Sequence, residues 1–372
     1  MKKATVALIL GARPQIIKSA PLIRLFTADE QLRLSVIHTG QHYDYEMTKV
    51  FFDEFSLPEP AANLEVGSGS HAQQTAKIIS RLEPVLLEQK PELVLVPGDT
   101  NSTLAGALTA AKLNIPVAHI EAGARSYDNR MPEEINRRLT DHCSTMLFTV
   151  TKVCSENLLK EGISKDRIHL VGDTMYEVLL QQLPKAEKTA ILEQLAVQPK
   201  VYALLTLHRQ ENVDNPENLE KIMAAIIKLK IAVVFPVHPR TRKQLCNSNL
   251  YAKLAEQEHV KLIEPVGYLE NINLIKNASF VMTDSGGVQK EAFWLKIPCI
   301  TLRENTEWTE TVQLGANYLV GSDTKRIVKA ADSIIANAEK LGKKLETLPN
   351  PFGDGFASQK ILDTLKTSSY CC

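Results

Sequence analysis

The sequence predicts an α/β protein of two domains, each a doubly wound, mainly parallel sheet. Three observations carry that prediction. Short β-rich apolar runs alternate with helical stretches from Ala4 to about residue 175, the pattern of strands buried on both faces. The alternation restarts at Val201 after a charged stretch, 184–200, that carries Pro184 and Pro199. In both halves, polar residues gather where the apolar runs end, and in doubly wound sheets the ligand crevice lies outside those carboxyl ends. The 372 residues also exceed the roughly 250–300 at which single cores stop growing. The expected domains are 1–175 and 176–355, with a terminal helix at about 356–372 packing back on the first.

Residues 4–10 (ATVALIL) read as a buried parallel strand. The flanking Lys2, Lys3 and Arg13 leave too short an apolar run for a signal peptide. Gly11-Ala12-Arg13-Pro14 then turns into a helix with proline in its first turn, and the glycine turn and helix start form a candidate anion seat. Ser35–Thr39 is the second strand, followed by Gly40-Gln41-His42-Tyr43-Asp44 and a helix carrying Phe51, Phe52 and Phe55 as core. The loop Gly67-Ser68-Gly69-Ser70-His71 lacks Walker spacing and reads as a solvated connector. Gln73–Glu88 is an amphipathic helix, and Glu92–Pro97 the next strand.

The stretch from Val96 to Asp141 concentrates the acidic chemistry. Asp99 follows one strand end, Glu121 follows the strand Val117–Ile120, and a polar loop delivers Glu133 and Glu134. Asp99 also has a bland reading, as the cap of a helix starting at Asn101. Glu133 and Arg137 fall one turn apart, so an ion pair is the bland reading there. A carboxylate held in a crevice serves as general acid or base when its pKa is raised. Thr145–Val150 and Ile168–Val171 are further strands, with a helix from Ser155 ending near Gly162 between them.

The stretch 184–200 is expected to be helical, the linker and start of the second domain. Val201–Leu207 then delivers His208-Arg209, and Ile231–Val237 delivers His238-Pro239-Arg240. Phe280–Thr283 delivers Asp284-Ser285-Gly286-Gly287 before a helix over Val288–Leu295, and Ile297–Leu302 delivers Arg303-Glu304-Asn305. Two glycines and a serine at a helix start suit a phosphate, because free N–H groups point at the ligand. Glu291, one turn on, is placed to accept from ribose hydroxyls. Ala357–Leu365 is the terminal amphipathic helix.

Composition narrows the function classes. Lys plus Arg and Asp plus Glu both number 43, so no basic field points to nucleic acid or an anionic membrane. No run approaches the ~18 apolar residues of a membrane span. The six cysteines, at 143, 154, 246, 299, 371 and 372, show no zinc or Cys-x-x-Cys spacing, and Cys371 and Cys372 receive no role. A reduced, cytoplasmic, metal-free protein is the expectation. Phosphate recognition in the second half with carboxylates in the first suggests a nucleotide-linked substrate in an interdomain cleft.

Six blocks together carry a resemblance. Gly11-Ala12-Arg13-Pro14-Gln15, His38-Thr39-Gly40-Gln41-His42, Gly98-Asp99-Thr100, His119-Ile120-Glu121-Ala122-Gly123, Pro132-Glu133-Glu134-Ile135-Asn136-Arg137 and Asp284-Ser285-Gly286-Gly287 resemble, in order along the whole chain, the non-hydrolysing UDP-N-acetylglucosamine 2-epimerases. The resemblance implies two Rossmann-like domains in a GT-B fold. It implies inversion at C2 of a UDP-linked 2-acetamido sugar, by anti elimination of UDP and re-addition to the bound glycal. No redox cofactor or metal is implied, and the family likeness suggests a cytoplasmic homodimer in polysaccharide biosynthesis. By matching motif positions, Asp99, Glu121, Glu133 and His208 take the catalytic positions, while Arg13, Ser285, Gly286, Gly287 and Glu291 take the UDP-binding ones. Lys18, Arg137 and His238 are further candidate contacts to sugar or diphosphate.

Two departures bear on substrate and regulation. Many members read Gly-Thr-Arg-Pro-Glu where this chain has Gly-Ala-Arg-Pro-Gln, a form also found in relatives that epimerise a UDP-2,3-diacetamido glucuronate. Tyr43-Asp44 replaces a glutamine-bearing segment that contributes to an allosteric UDP-sugar site in some bacterial members. The competing readings are a hydrolysing 2-epimerase, disfavoured by the Arg13-Pro14 turn, a GT-B glycosyltransferase, and an inert UDP-sugar binding module.

Overall fold

The computed structural model describes residues 3–40, 52, 55–368 and 370. The expected features at Gln41, His42, Tyr43, Asp44, Phe51, Cys371 and Cys372 lie outside them. The chain divides into two compact units, Met1–Val178 with Pro351–Cys372, and Leu179–Asn350.

The first unit is built on strands β1 (Ala4–Leu10), β2 (Leu32–His38), β3 (Ala62–Asn63), β4 (Leu93–Pro97), β5 (Val117–Ala122), β6 (Met146–Thr149) and β7 (Ile168–Leu170). They form one parallel sheet in the order β3-β2-β1-β4-β5-β6-β7. Val6 to Leu10 and Leu93 to Val96 have no accessible surface, so both faces are covered and the strands need unbroken apolar runs. The helix Asn101–Lys112 packs against β4 and β1, and its small residues allow the approach. A Cβ on Gly106 would stand 3.0 Å from Val96 Cγ1. The helix Ala357–Lys366 packs on the helix Arg13–Ala28, with Lys366 paired to Asp29.

In the second unit β8 (Tyr202–Thr206), β9 (Ala232–Pro236), β10 (Val260–Ile263), β11 (Phe280–Thr283), β12 (Cys299–Thr301) and β13 (Asn317–Leu319) form a parallel sheet ordered β10-β9-β8-β11-β12-β13. Strand order reverses between β1 and β4 in one sheet and between β8 and β11 in the other. These switch points are where doubly wound folds bind ligands.

The stretch 184–200 differs from expectation. Helix covers only its first residues, as the end of Thr174–Ala186, and Ile191–Gln194. Its apolar minority explains the difference: Ile191, Leu192, Leu195 and Val197 pack into the second unit's core, so the segment is a core-facing strap. The unit boundary falls upstream of it, at Val178/Leu179, inside the helix Thr174–Ala186.

Candidate active site

At the first unit's switch point, β1 ends in Gly11. A Cβ there would lie 1.9 Å from Ser102 Oγ and 2.3 Å from Thr39 Oγ1, two hydroxyls that bond each other at 2.8 Å. Only glycine fits. The anion seat expected at this helix start is largely filled from within. Gln15 Oε1 accepts the N–H groups of Gly11 and Ala12 at 2.9 and 3.1 Å, while its Nε2 donates to the Pro97 carbonyl at 2.8 Å and to Thr103 Oγ1 at 3.0 Å. One buried amide thereby ties the end of β1 to the end of β4. An anion here would be met by the exposed Arg13 side chain rather than by those two amides.

β4 is followed by Gly98, with φ +72°, and Asp99. The cap of the next helix is Thr100, whose hydroxyl accepts the Thr103 N–H at 3.3 Å, so the capping role considered for Asp99 is taken by its neighbour. The Asp99 carboxylate instead receives Arg137 Nη2 at 2.9 Å. The helix Pro132–Cys143 is held against this turn by Asn136, which donates to the Asp99 carbonyl at 3.0 Å. Arg137 is 2% exposed; its Nε donates to the Glu133 carbonyl at 3.2 Å and its Nη1 lies 3.3 Å from Glu134. Glu134 is a structural neighbour, fully buried and accepting from Ser126 N, Ser126 Oγ and Tyr127 N at 2.9, 3.0 and 3.2 Å.

Glu121 is presented by a distortion. The pairing of β5 with β6 runs Ile120 to Phe148 and then Ala122 to Thr149, so Glu121 is the extra residue of a bulge, and its φ is +73°. A bulge re-aims the side chain it carries, and a left-handed non-glycine residue costs on the order of 1–3 kcal/mol. The carboxylate ends on Lys18 Nζ. This pair lies over Gly98, where an added Cβ would stand 3.1 Å from Lys18 Nζ and 3.9 Å from Glu121 Oε2.

The charges interact. Loss of solvent pushes the Asp99 carboxyl above the usual carboxylate range; Arg137 opposes this, Glu133 adds to it, Lys18 opposes, and Glu121 adds. The side chain keeps 38% of its surface, because its first layer is open while protein crowds it at longer range. Desolvation acts over that longer range, so the upward direction stands. Asp99, Glu121, Glu133, Lys18 and Arg137 thus form one electrostatic group, to which Lys18 is linked only by the fold.

The second unit's switch point is bridged by Asp284. Fully buried after β11, it accepts the His208 N–H at 3.1 Å and the Arg209 N–H at 2.9 Å, fixing the turn after β8. The His208 ring is 41% exposed, with Nδ1 3.8 Å from Asp284 Oδ1 and its centroid 5.9 Å from that of His238. His238 Nδ1 accepts the Arg240 N–H at 3.2 Å. Burial, then the charges of His208 and Arg240, hold the His238 imidazole below its ordinary pKa. His238 therefore presents Nε2–H as a neutral donor.

The helix expected from Val288 starts at Gly286 (Gly286–Trp294), so both glycines lie in its first turn and Ser285 is its cap residue. The Ser285 N–H is used by Thr283 Oγ1 at 3.0 Å, but its hydroxyl makes no capping bond. The first-turn amides of such a helix have no intrahelical acceptor, which is the arrangement that receives a phosphate. Glu291, one turn on, is 5% exposed.

The sequence reading missed the floor of this site. Trp308 Nε1 would lie 3.2 Å from a Cβ on Gly286, and buried Lys290 places Nζ 4.0 Å from the Trp308 ring centre. Arg303 pairs with Glu307 at 3.0 Å, and Arg209 Nη2 lies 4.0 Å from the same carboxylate. The strand-end position of Arg303 was the available signal. Among the described residues no three His, Cys, Asp or Glu side chains are arranged to hold a metal ion, and no helix is long and apolar enough to cross a membrane.

Comparison with known proteins gives the family. The family model described as UDP-N-acetylglucosamine 2-epimerase matches residues 24–366. A UDP-N-acetylglucosamine 2-epimerase homolog of Methanococcus maripaludis is 51% identical over 97% of this chain and 99% of its own length. The UDP-2,3-diacetamido-2,3-dideoxy-D-glucuronate 2-epimerase of Pseudomonas aeruginosa is 43% identical over 96% and 98%. The crystal structure of the Methanocaldococcus jannaschii UDP-GlcNAc 2-epimerase in complex with UDP-GlcNAc and UDP superposes with a TM-score of 0.90 at 48% identity, covering 98% of this chain and 100% of that one. A match over nearly the full length of both chains carries the GT-B fold with it, and the chain belongs to the UDP-N-acetylglucosamine 2-epimerase family.

Proposed function

We propose that this protein reversibly inverts C2 of a UDP-linked 2-acetamido sugar, converting UDP-N-acetylglucosamine to its 2-epimer. The C2 proton passes to a carboxylate while the C1–O bond breaks and UDP departs, leaving a C1=C2 double bond. UDP oxygen then re-adds to C1 as a proton is delivered to the opposite face of C2. The observation that carries the reading is the gathering of Asp99, Glu121 and Glu133 around Arg137 and Lys18 at the carboxyl ends of β4 and β5. Three carboxylates, of which Asp99 is held above its usual range, suit a reaction that takes and returns a proton.

C2 is not beside a carbonyl, so C–O cleavage must be well advanced before the proton leaves, and charge on UDP needs oriented donors. The Ser285-Gly286-Gly287 helix start, His208, His238 and Arg13 are the groups we assign to that task, with Glu291 on the ribose.

A second substrate, the UDP-2,3-diacetamido glucuronate, is favoured by one observation. The Gly-Ala-Arg-Pro-Gln block accompanies 43% identity to a relative named for that activity. We further propose a homodimer through the first unit, where Ile135 and Leu139 expose apolar side chains one turn apart. The free Cys143, Cys154, Cys246 and Cys299 thiols fit a cytoplasmic enzyme that supplies polysaccharide assembly.

Proton NMR in deuterium oxide tests the reaction. With UDP-N-acetylglucosamine, and separately with the diacetamido uronate, solvent deuterium is expected at C2 of recovered UDP-sugar, with little free UDP. Glu121→Gln is expected to slow exchange at least a hundredfold. Epimer without deuterium at C2 sinks the mechanism; stoichiometric free UDP assigns a hydrolysing enzyme instead, and UDP appearing only with an acceptor assigns a glycosyltransferase.

A further inference from the structure

Behind the first unit's carboxylates runs a buried chain of ionisable side chains that the proposed reaction does not use directly. His119 and Asp141 have no accessible surface, and Arg125 is 2% exposed. His119 Nδ1 lies 2.7 Å from Asp141 Oδ1, and its Nε2 lies 2.7 Å from the Gly98 carbonyl oxygen. Asp141 Oδ2 takes Arg125 Nη2 at 2.7 Å and the Gly123 N–H at 3.2 Å. Arg125 in turn grips Glu161 with two bonds of 2.8 and 2.7 Å and donates to the Ala124 carbonyl at 2.8 Å.

The chain is held by its acceptors. Burial disfavours the ionised Asp141 carboxyl, but His119 and Arg125 outweigh that and hold it below the usual range. An ionised carboxylate only accepts, as does the Gly98 carbonyl, so each ring nitrogen of His119 faces an acceptor oxygen.

The chain joins the segments that carry the three carboxylates. Gly98 precedes Asp99, Gly123 follows Glu121 by two residues, His119 precedes Glu121 by two, and Asp141 stands on the helix Pro132–Cys143 that carries Glu133. Three segments meet at one buried pair. We propose that His119 and Asp141, backed by Arg125 and Glu161, are positioning residues that fix Asp99, Glu121 and Glu133 relative to one another for proton transfer. The inference rests on those three carboxylates being the ones that face the sugar.

A network serving stability alone is the competing account, and it predicts a different signature. Misplacing reacting groups by about 1 Å costs on the order of a hundredfold in rate, whereas a purely structural loss lowers the melting temperature and leaves turnover of the folded enzyme intact. The test uses the full-length enzyme with His119→Gln and Asp141→Asn, reading C2 deuterium exchange, kcat, KM and UDP affinity by calorimetry. We expect kcat and exchange to fall at least tenfold, with KM and UDP affinity within about threefold of wild type. Folded variants that turn over within threefold of wild type overturn the proposal.

Should both variants fail to fold, Arg125→Lys decides by the same readout: a tenfold loss of kcat at unchanged KM supports the proposal, and unchanged kcat overturns it. The wild type is the separate control. A wild type without C2 exchange overturns the epimerase reading and this proposal with it, whereas a wild type and variants that exchange equally fast overturn this proposal alone.

Discussion

Replacing Gln15 by leucine tests how the first unit's switch point is held. The side chain is 1% exposed, and its Oε1 is the acceptor given to the N–H groups of Gly11 and Ala12. Leucine fills the space and leaves both donors unmet, at roughly 1–3 kcal/mol each. The Pro97 carbonyl is not orphaned, because Thr103 Oγ1 also donates to it at 2.8 Å. The net cost is therefore about 3 kcal/mol, which lowers the melting temperature of a unit of this size by about 6–12 °C. Glutamate at this position keeps the acceptor, and at acid pH its protonated carboxyl can donate to the Pro97 carbonyl in place of Nε2, so Gln15→Glu measured there is expected to cost about 1 kcal/mol. Differential scanning calorimetry of the three proteins, read on the transition of the first unit, gives the comparison, and kcat should fall with Gln15→Leu because the Arg13 and Asp99 turns lose their tie. A Gln15→Leu melting point within about 2 °C of wild type, or Gln15→Glu falling as far, would refute the reasoning.

Two further predictions concern charge and backbone. Asp99 has its folded pKa raised above the ordinary 3.8, so its contribution to stability is fully present below about pH 3.8 and is lost as pH rises through the folded value. Asp99→Asn should therefore be more stable than wild type near pH 7, with the difference shrinking toward pH 4; urea melts across that range check it, and a difference that grows toward acid contradicts it. Gly123, at φ +78°, would place a Cβ 2.2 Å from the Cys154 carbonyl oxygen, whereas Gly162, at φ +82°, would meet nothing within 4 Å. Gly123→Ala should cost more than about 3 kcal/mol and Gly162→Ala about 1–2, so thermal melts that rank them equally would remove the clash as the cause.

The sheets were legible because parallel strands buried on both faces need runs such as ATVALIL and ELVLVP, and those runs appear in the sequence without help from tertiary context. β10 and β13 were not read. Val260–Ile263 is interrupted by Lys261, and Asn317–Leu319 is three residues long, so neither shows an unbroken apolar run. Residues of the candidate site were legible as types at strand ends, and their partners were not. The Asp99–Arg137 and Lys18–Glu121 pairs join residues 38 and 103 positions apart, and Asp284 reaches back 76 to His208. The bland reading of Asp99 as a cap arose because Asp99 and Thr100 are both good caps in adjacent positions, and Thr100 takes the role. The role of Gln15 depends on a strand 82 residues away.

The bulge at Glu121 sets two demands against each other. A backbone angle of +73° suits glycine or asparagine, so selection for thermal robustness alone would favour replacing this glutamate. Ranking variants of this enzyme by melting temperature would therefore reward the loss of the acid that Lys18 holds in place.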